Sequence, residues 1–236
     1  MLSDLISALA SGDSALIGST LVIFLFYLIA ILLSLSIHES AHGFVAYRCG
    51  DPTAKNLGRI TLNPVKHIDP FGFICMMIAG FGWAKPVPVN SRNFNKPRRD
   101  MALVAFAGPA SNLITALVCT VILRFADAPL AKLAMKAAAE SNTFVYLLAM
   151  SIGQFILILI RLNVTLAVFN LIPMPPLDGS KILYTFLPPK VYFKIAPYEK
   201  YLYIIMVILL VTDIITPVIS VISGGITNFL ISLFFW

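Results

Sequence analysis

The sequence predicts an all-α polytopic membrane protein: a bundle of transmembrane helices with a small membrane-associated β-hairpin or edge strand and a re-entrant segment. Three observations lead there. Of 236 residues, 59% are hydrophobic and only 12% charged, and the mean hydropathy is +0.90. A water-soluble domain of that composition would have to leave large apolar patches facing solvent. Apolar runs at Leu16–Ile37, Met101–Leu123, Val145–Ile160 and Tyr201–Val211, the last continuing toward Ile222, approach or exceed the roughly 20 residues that cross a bilayer as helix. No internal repeat and no appended soluble module stands out, so residues 1–236 are expected to form a single integral-membrane domain.

Taken in chain order, the first run is not a cleavable signal. Asp4 and Asp13 are the only charges before it, and it is too long for the apolar core of a leader peptide. Ser14 to about Tyr47 reads as one helix, stopped by Cys49-Gly50-Asp51-Pro52. The polar stretch Thr53–Asp69 contains Arg59–Leu62, which alternates like a short strand. Phe71–Trp83 is apolar but too short to span, so a re-entrant piece is expected, which needs protein around its backbone ends. In Gly82–Asn90 valine alternates with proline. Pro86 and Pro88 cannot donate to a ladder, which makes this an edge strand or a polyproline-like stretch.

Arg98 to Leu123 is the second span, where Ala105, Gly108, Ser111 and Asn112 suit a close helix–helix contact. The outer loop Asp127–Asn142 includes Leu130–Glu140, a short amphipathic surface helix. A third span runs from about Thr143 to Asn170 and meets the proline-rich NLIPMPPLDG, 170–179, which cannot continue as regular helix. Tyr201 to about Ile222 is the last helix, followed by Gly224-Gly225.

The net charge of +6 is concentrated: nine Lys or Arg fall between Arg48 and Arg99, and four more between Lys181 and Lys200. Such clusters beside apolar spans are a topological signal rather than a nucleic-acid surface. They place those two segments on the cytoplasmic side, with the N-terminus and the Asp127–Asn142 loop outside. Cys49, Cys75 and Cys119 are odd in number and widely spaced, so free thiols are expected.

His38-Glu39-Ser40-Ala41-His42 carries the chemistry. On a helix the two histidines lie one turn apart on one face, so both imidazoles reach a single metal ion. Glu39 stands beside them, able to take a proton from a metal-activated water without being a ligand. At 1.5 Å per residue, His38 lies roughly 13 Å below the helix end near Tyr47. Burying an ionised carboxylate at bilayer depth costs on the order of 2–3 kcal/mol, and such groups in a span mark function. Catalytic zinc takes three protein ligands. The third comes from His67 or a carboxylate, and Asp178 is the best placed, on irregular backbone after a proline-rich break. From spacing alone Asp178 serves equally well as the N-cap of a helix Gly179–Leu187. Gly179 would let the chain pass close to the metal.

HESAH in a transmembrane helix, followed by Asn170-x-x-Pro173-x-x-Pro176-Leu177-Asp178-Gly179, resembles the site-2 protease family of intramembrane zinc metalloproteases. The resemblance extends to GPASN, 108–112, and to the GRITLNP and GWAKPVPVN segments. It implies that His38, His42 and Asp178 bind one zinc ion and that Glu39 is the general base. It also implies that Asn170 lies near the substrate and helps the developing oxyanion, a task suited to an amide donor. A helix-end amide that satisfies backbone groups is the other reading of Asn170. For His67 a turn histidine competes with a role beside the site, and Arg161, inside the third span, has no assigned role. The implied activity is hydrolysis of a peptide bond in or near a transmembrane helix of a membrane-protein substrate, in regulated intramembrane proteolysis. Partners are then such substrates and the bilayer, with no nucleic acid. GWAKPVPVN would hold the unwound substrate as an added strand. A minimal catalytic core without a PDZ-like insertion or C-terminal regulatory domain is expected, in a prokaryotic plasma membrane. A non-proteolytic scaffold, which would be free to lose such costly groups, is one alternative, and a divalent-metal transporter or channel is the other. It has no need of a glutamate between the histidines and more often shows repeated halves.

Overall fold

The computed structural model describes residues 2–79 and 82–235. A short helix α1 (Leu2–Ser11) leads into α2 (Ser14–Arg48), α3 (Thr53–Asn56) and α4 (Pro70–Ala79). The long α5 (Pro97–Ala139) and α6 (Thr143–Asn170) follow, then α7 (Asp178–Phe186), α8 (Pro189–Ile195), α9 (Glu199–Val211) and α10 (Thr216–Ser232). Among the described residues three helices are long and apolar enough to cross a membrane, namely Leu16–Arg48, Pro97–Ala139 and Thr143–Asn170. A bent pair ending in α10 would make a fourth span if counted as one.

Helix α2 begins where the Asp13 carboxylate accepts the Leu16 backbone N–H at 3.2 Å, satisfying one of the first-turn donors. Its N-terminal half turns Leu21, Val22, Leu25, Ile29 and Leu33 away from the bundle, an arrangement stable only where lipid is the solvent. The hydroxyls of Ser34 and Ser36 donate at 2.7 Å to carbonyls four residues back, so neither polar group meets hydrocarbon unpaired. The core is an α5–α6 hairpin: Ala116, Cys119 and Leu123 pack on Ile160 and Val164, backed by Ile226 and Leu230 of α10. Asn163 Nδ2 donates to Ser34 Oγ at 2.9 Å and ties α6 to α2 in the buried interior. The three cysteines are free.

Several expectations need correction. Leu130–Glu140 is no separate surface helix but the last turns of α5, because Ala134 and Ala137 are buried. The region from Tyr201 to Ile222 is broken. Asp213 adopts a φ of 55°, Pro217 opens α10, and the axes on either side of the break differ by 78°. Helix α4 has ten residues, and Trp83 lies against Gly72 near its start. Residues 80 and 81 of the expected re-entrant piece Phe71–Trp83 lie outside the described residues.

Most plainly, the described residues contain no β-strand and no hairpin. A single antiparallel bridge joins Ile68 to Ala84, and Arg59–Leu62 is irregular chain and bend. The reason is visible in the hydrogen bonds of the 82–90 segment. Lys85 N–H donates to the His67 carbonyl within that bridge, but further along the N–H groups of Val87 and Asn90 are taken by the side chains of Glu39 and Asp51. Pro86 and Pro88 have none to give, and Arg59 Nη2 occupies the carbonyls of Lys85 and Pro86.

Candidate metal centre

His38 and His42 lie one turn apart near the C-terminal end of α2, buried at 4% and 8% exposure, and Asp178 opens α7 at 6%. Their ligating atoms converge. Asp178 Oδ2 lies 3.1 Å from His38 Nε2 and 3.0 Å from His42 Nε2, and the two Nε2 atoms are 3.0 Å apart. Three hard-to-bury polar atoms directed at one point are what a single divalent ion requires, and two imidazoles with a carboxylate form a donor set that suits zinc.

A backbone carbonyl of α5 fixes the chemistry of His42. A carbonyl can only accept, so Nδ1–H of His42 donates to the Val104 carbonyl of α5 at 2.7 Å, which leaves Nε2 with its lone pair free for a metal. Gly108, on the same face of α5, sits directly against both rings. A Cβ there would stand 2.5 Å from Nε2 of each histidine. GPASN is thus a close contact, as its small residues suggest, and the contact is with the two imidazoles of the candidate site.

Asp178 is not a cap. Leu177 occupies the N-cap position of α7 without a side-chain bond, and Asp178 is the first helical residue with its carboxylate directed at the histidines. Burial works to raise its pKa, yet the contacts with His38, His42 and Lys181 outweigh burial and hold the carboxyl well below the usual range. Gly179 acts differently from expectation. A Cβ there would run into the Leu171 and Ile172 carbonyls, so the glycine allows α7 to start against the end of α6 rather than against the metal.

Glu39 is half-buried, and its Oε2 accepts the Val87 N–H at 2.8 Å. Together with His38, His42 and Asp178 it lines a cavity of about 1160 Å³ bounded by the 82–91 segment, the start of α5, the end of α6, α7 and α9. Asn170, the last residue of α6, lines the same cavity, and its Nδ2 donates to the Leu166 carbonyl at 2.9 Å. His67 stands apart: Nε2–H donates to the Thr61 carbonyl at 2.8 Å, which makes it a buried turn histidine. Arg161 is exposed on α6. The sequence reading missed Val87, the Val104 carbonyl and Lys181. Backbone groups leave no trace in residue identity, whereas Lys181, three residues after Asp178 on a helix, could have been read from spacing.

Residues 26–212 match peptidase family M50. The chain belongs to that family. This M50 peptidase is 44% identical over 189 residues, 80% of its own length and 81% of the relative's, to YwhC of Bacillus subtilis, which is classed as a zinc metalloprotease. It is 30% identical over 194 residues to Rip2 of Mycolicibacterium smegmatis, covering 80% of this chain and 68% of that one. Rip2 of Mycobacterium tuberculosis is 29% identical over 184 residues, 75% of this chain and 63% of the relative. Both Rip2 proteins are likewise classed as zinc metalloproteases. No solved structure matches the chain. The site-2 protease resemblance of the sequence therefore holds: the protein is an integral-membrane metalloprotease, and its cofactor is zinc.

Proposed function

We propose that this M50 peptidase hydrolyses a peptide bond in or near a transmembrane helix of a membrane-protein substrate, as the proteolytic step of regulated intramembrane proteolysis. The observation that carries the reading is the convergence of His38, His42 and Asp178 next to Glu39 at the wall of a large cavity within an apolar helical bundle. In this reading His38, His42 and Asp178 hold one zinc ion through Nε2, Nε2 and Oδ2. Zinc, when bound, lowers the pKa of water to about 7 and polarises a carbonyl.

Glu39 is the general base. Val87 holds Oε2, which leaves Oε1 to take the proton of the attacking water, and the same carboxyl returns it to the departing amine. Asn170 has a second amide N–H beyond the one given to Leu166, suited to the oxygen that gains charge as the carbonyl is attacked. The cavity wall is mainly apolar, with Met101, Val104, Leu166, Phe169, Met206 and Leu210, and it accepts an apolar peptide segment in extended form. The basic segments Arg48–Arg99 and Lys181–Lys200 orient the site toward the cytoplasm and the N-terminus outward, in a prokaryotic plasma membrane. Residues 1–236 act as one catalytic domain.

The test uses protein purified in detergent, comparing wild type with Glu39→Gln for bound zinc and for cleavage of a panel of single-span helical substrates. Zinc near one per chain in both proteins, with cleavage by wild type alone, supports the reading. A wild type that holds zinc yet cuts no member of the panel overturns it.

A further inference from the structure

Asp178 uses its two oxygens differently. Oδ2 faces both histidines, while Oδ1 is held by Lys181 Nζ at 3.1 Å. The pair spans one turn at the start of α7, with the carboxylate buried at 7% side-chain exposure and the ammonium half-exposed at 51% on the cavity wall. A carboxylate beside zinc can bind through one oxygen or both. Two imidazoles and a two-oxygen carboxylate would give four protein donor atoms, so that a water could join only as a fifth ligand. One oxygen gives three and leaves a position for water and substrate. The side chain that decides between these outcomes is the one that occupies Oδ1.

We propose that Lys181 is a positioning residue that holds Asp178 as a one-oxygen ligand and so keeps the fourth zinc position open. The inference rests on the zinc-site reading above. An ordinary solvent-facing i,i+3 pair would contribute little to stability and would leave the metal unchanged. Here the pair engages the second oxygen of a ligand, and partners of that kind typically change metal affinity or activity by 10–100-fold.

Cobalt substituted for zinc provides the readout, because its visible bands are intense in four-coordinate sites and weak at higher coordination. The measurement compares wild type, Lys181→Met, Lys181→Arg and His38→Ala, each purified in detergent and loaded with Co²⁺, with zinc-loaded samples assayed on a cleaved substrate. Lys181→Met should weaken the four-coordinate bands and lower kcat by roughly 10–100-fold with little change in KM. Lys181→Arg, which keeps a donor on Oδ1, should restore both. A Lys181→Met spectrum superimposable on wild type overturns the inference while leaving the zinc site standing. Bands that survive in His38→Ala overturn the zinc-site reading itself, and the inference with it. Helical circular dichroism of each variant separates a change at the metal from a failure to fold.

Discussion

Gly108 and His38 are in direct contact across the α2–α5 interface: a methyl group on the glycine would stand 2.5 Å from Nε2 of the imidazole. It would meet His42 Nε2 at the same distance, so α5 supplies the floor on which both rings rest. The rings cannot move away freely, because His42 is anchored through Nδ1–H to Val104 on that same helix. Gly108→Ala should therefore leave a folded, helical protein that binds zinc at least roughly 10–100-fold more weakly, the effect expected of a displaced ligand. Metal content after dialysis, set beside the helical signal, checks this. Full zinc occupancy in the alanine variant would show that the interface yields by sliding the helices.

The bond from Val87 N–H to Glu39 Oε2, 2.8 Å long, joins residues 48 apart in sequence. A hydrogen bond to a charged group is worth about 1.5–3 kcal/mol, which corresponds to roughly 10–150-fold in rate if the base loses its orientation. Val87→Pro removes the donor while keeping an apolar residue in a segment already rich in proline. It should lower kcat by about that factor with zinc retained, whereas Val87→Ala, which keeps the N–H, should stay close to wild type. Equal activity in the two variants would mean that Glu39 is held by other contacts.

What sequence made legible follows from how each feature is encoded. The spans of α2 and α6 were readable almost to the residue because an apolar run, a Gly-Asp-Pro stop and a proline-rich break are all properties of residue identity. The pair His38 and His42 was readable because helical periodicity places them together, and Asp178 became readable through a motif. The length of α5 was not, because Pro129 looks like a terminator and only the packing of Ala134 and Ala137 overrides it. Nor was the conformation of 82–90. Its alternating pattern suits a strand, but the N–H groups of Val87 and Asn90 go to side chains from distant parts of the chain, Glu39 and Asp51. Periodicity reports which face of a segment is apolar and is silent about who takes its backbone hydrogen bonds.

Asp51 is the corresponding anchor at the other end of that segment. It is wholly buried just beyond α2, where Oδ1 accepts the Thr53 N–H at 3.1 Å and hydroxyl at 2.5 Å and Asn93 Nδ2 at 2.8 Å, and Oδ2 accepts the Asn90 N–H at 2.7 Å. Burial acts to raise its pKa, but the donors from Thr53, Asn90 and Asn93 prevail and the carboxyl lies below its ordinary value. At mildly acidic pH the unfolded chain then binds more protons at this position than the folded one. The stabilisation is therefore complete above the unfolded pKa, about 3.9, and is lost as pH falls through the lower folded value. Asp51→Asn keeps the shape but must turn an amide N–H toward one of these donors. Its melting temperature in detergent at pH 7 should drop by the equivalent of about 1–3 kcal/mol, and its stability should decline less steeply than that of wild type below about pH 4. An unchanged melting temperature at neutral pH together with an identical acid limb would show that the 90–93 turn holds to α2 without this carboxylate.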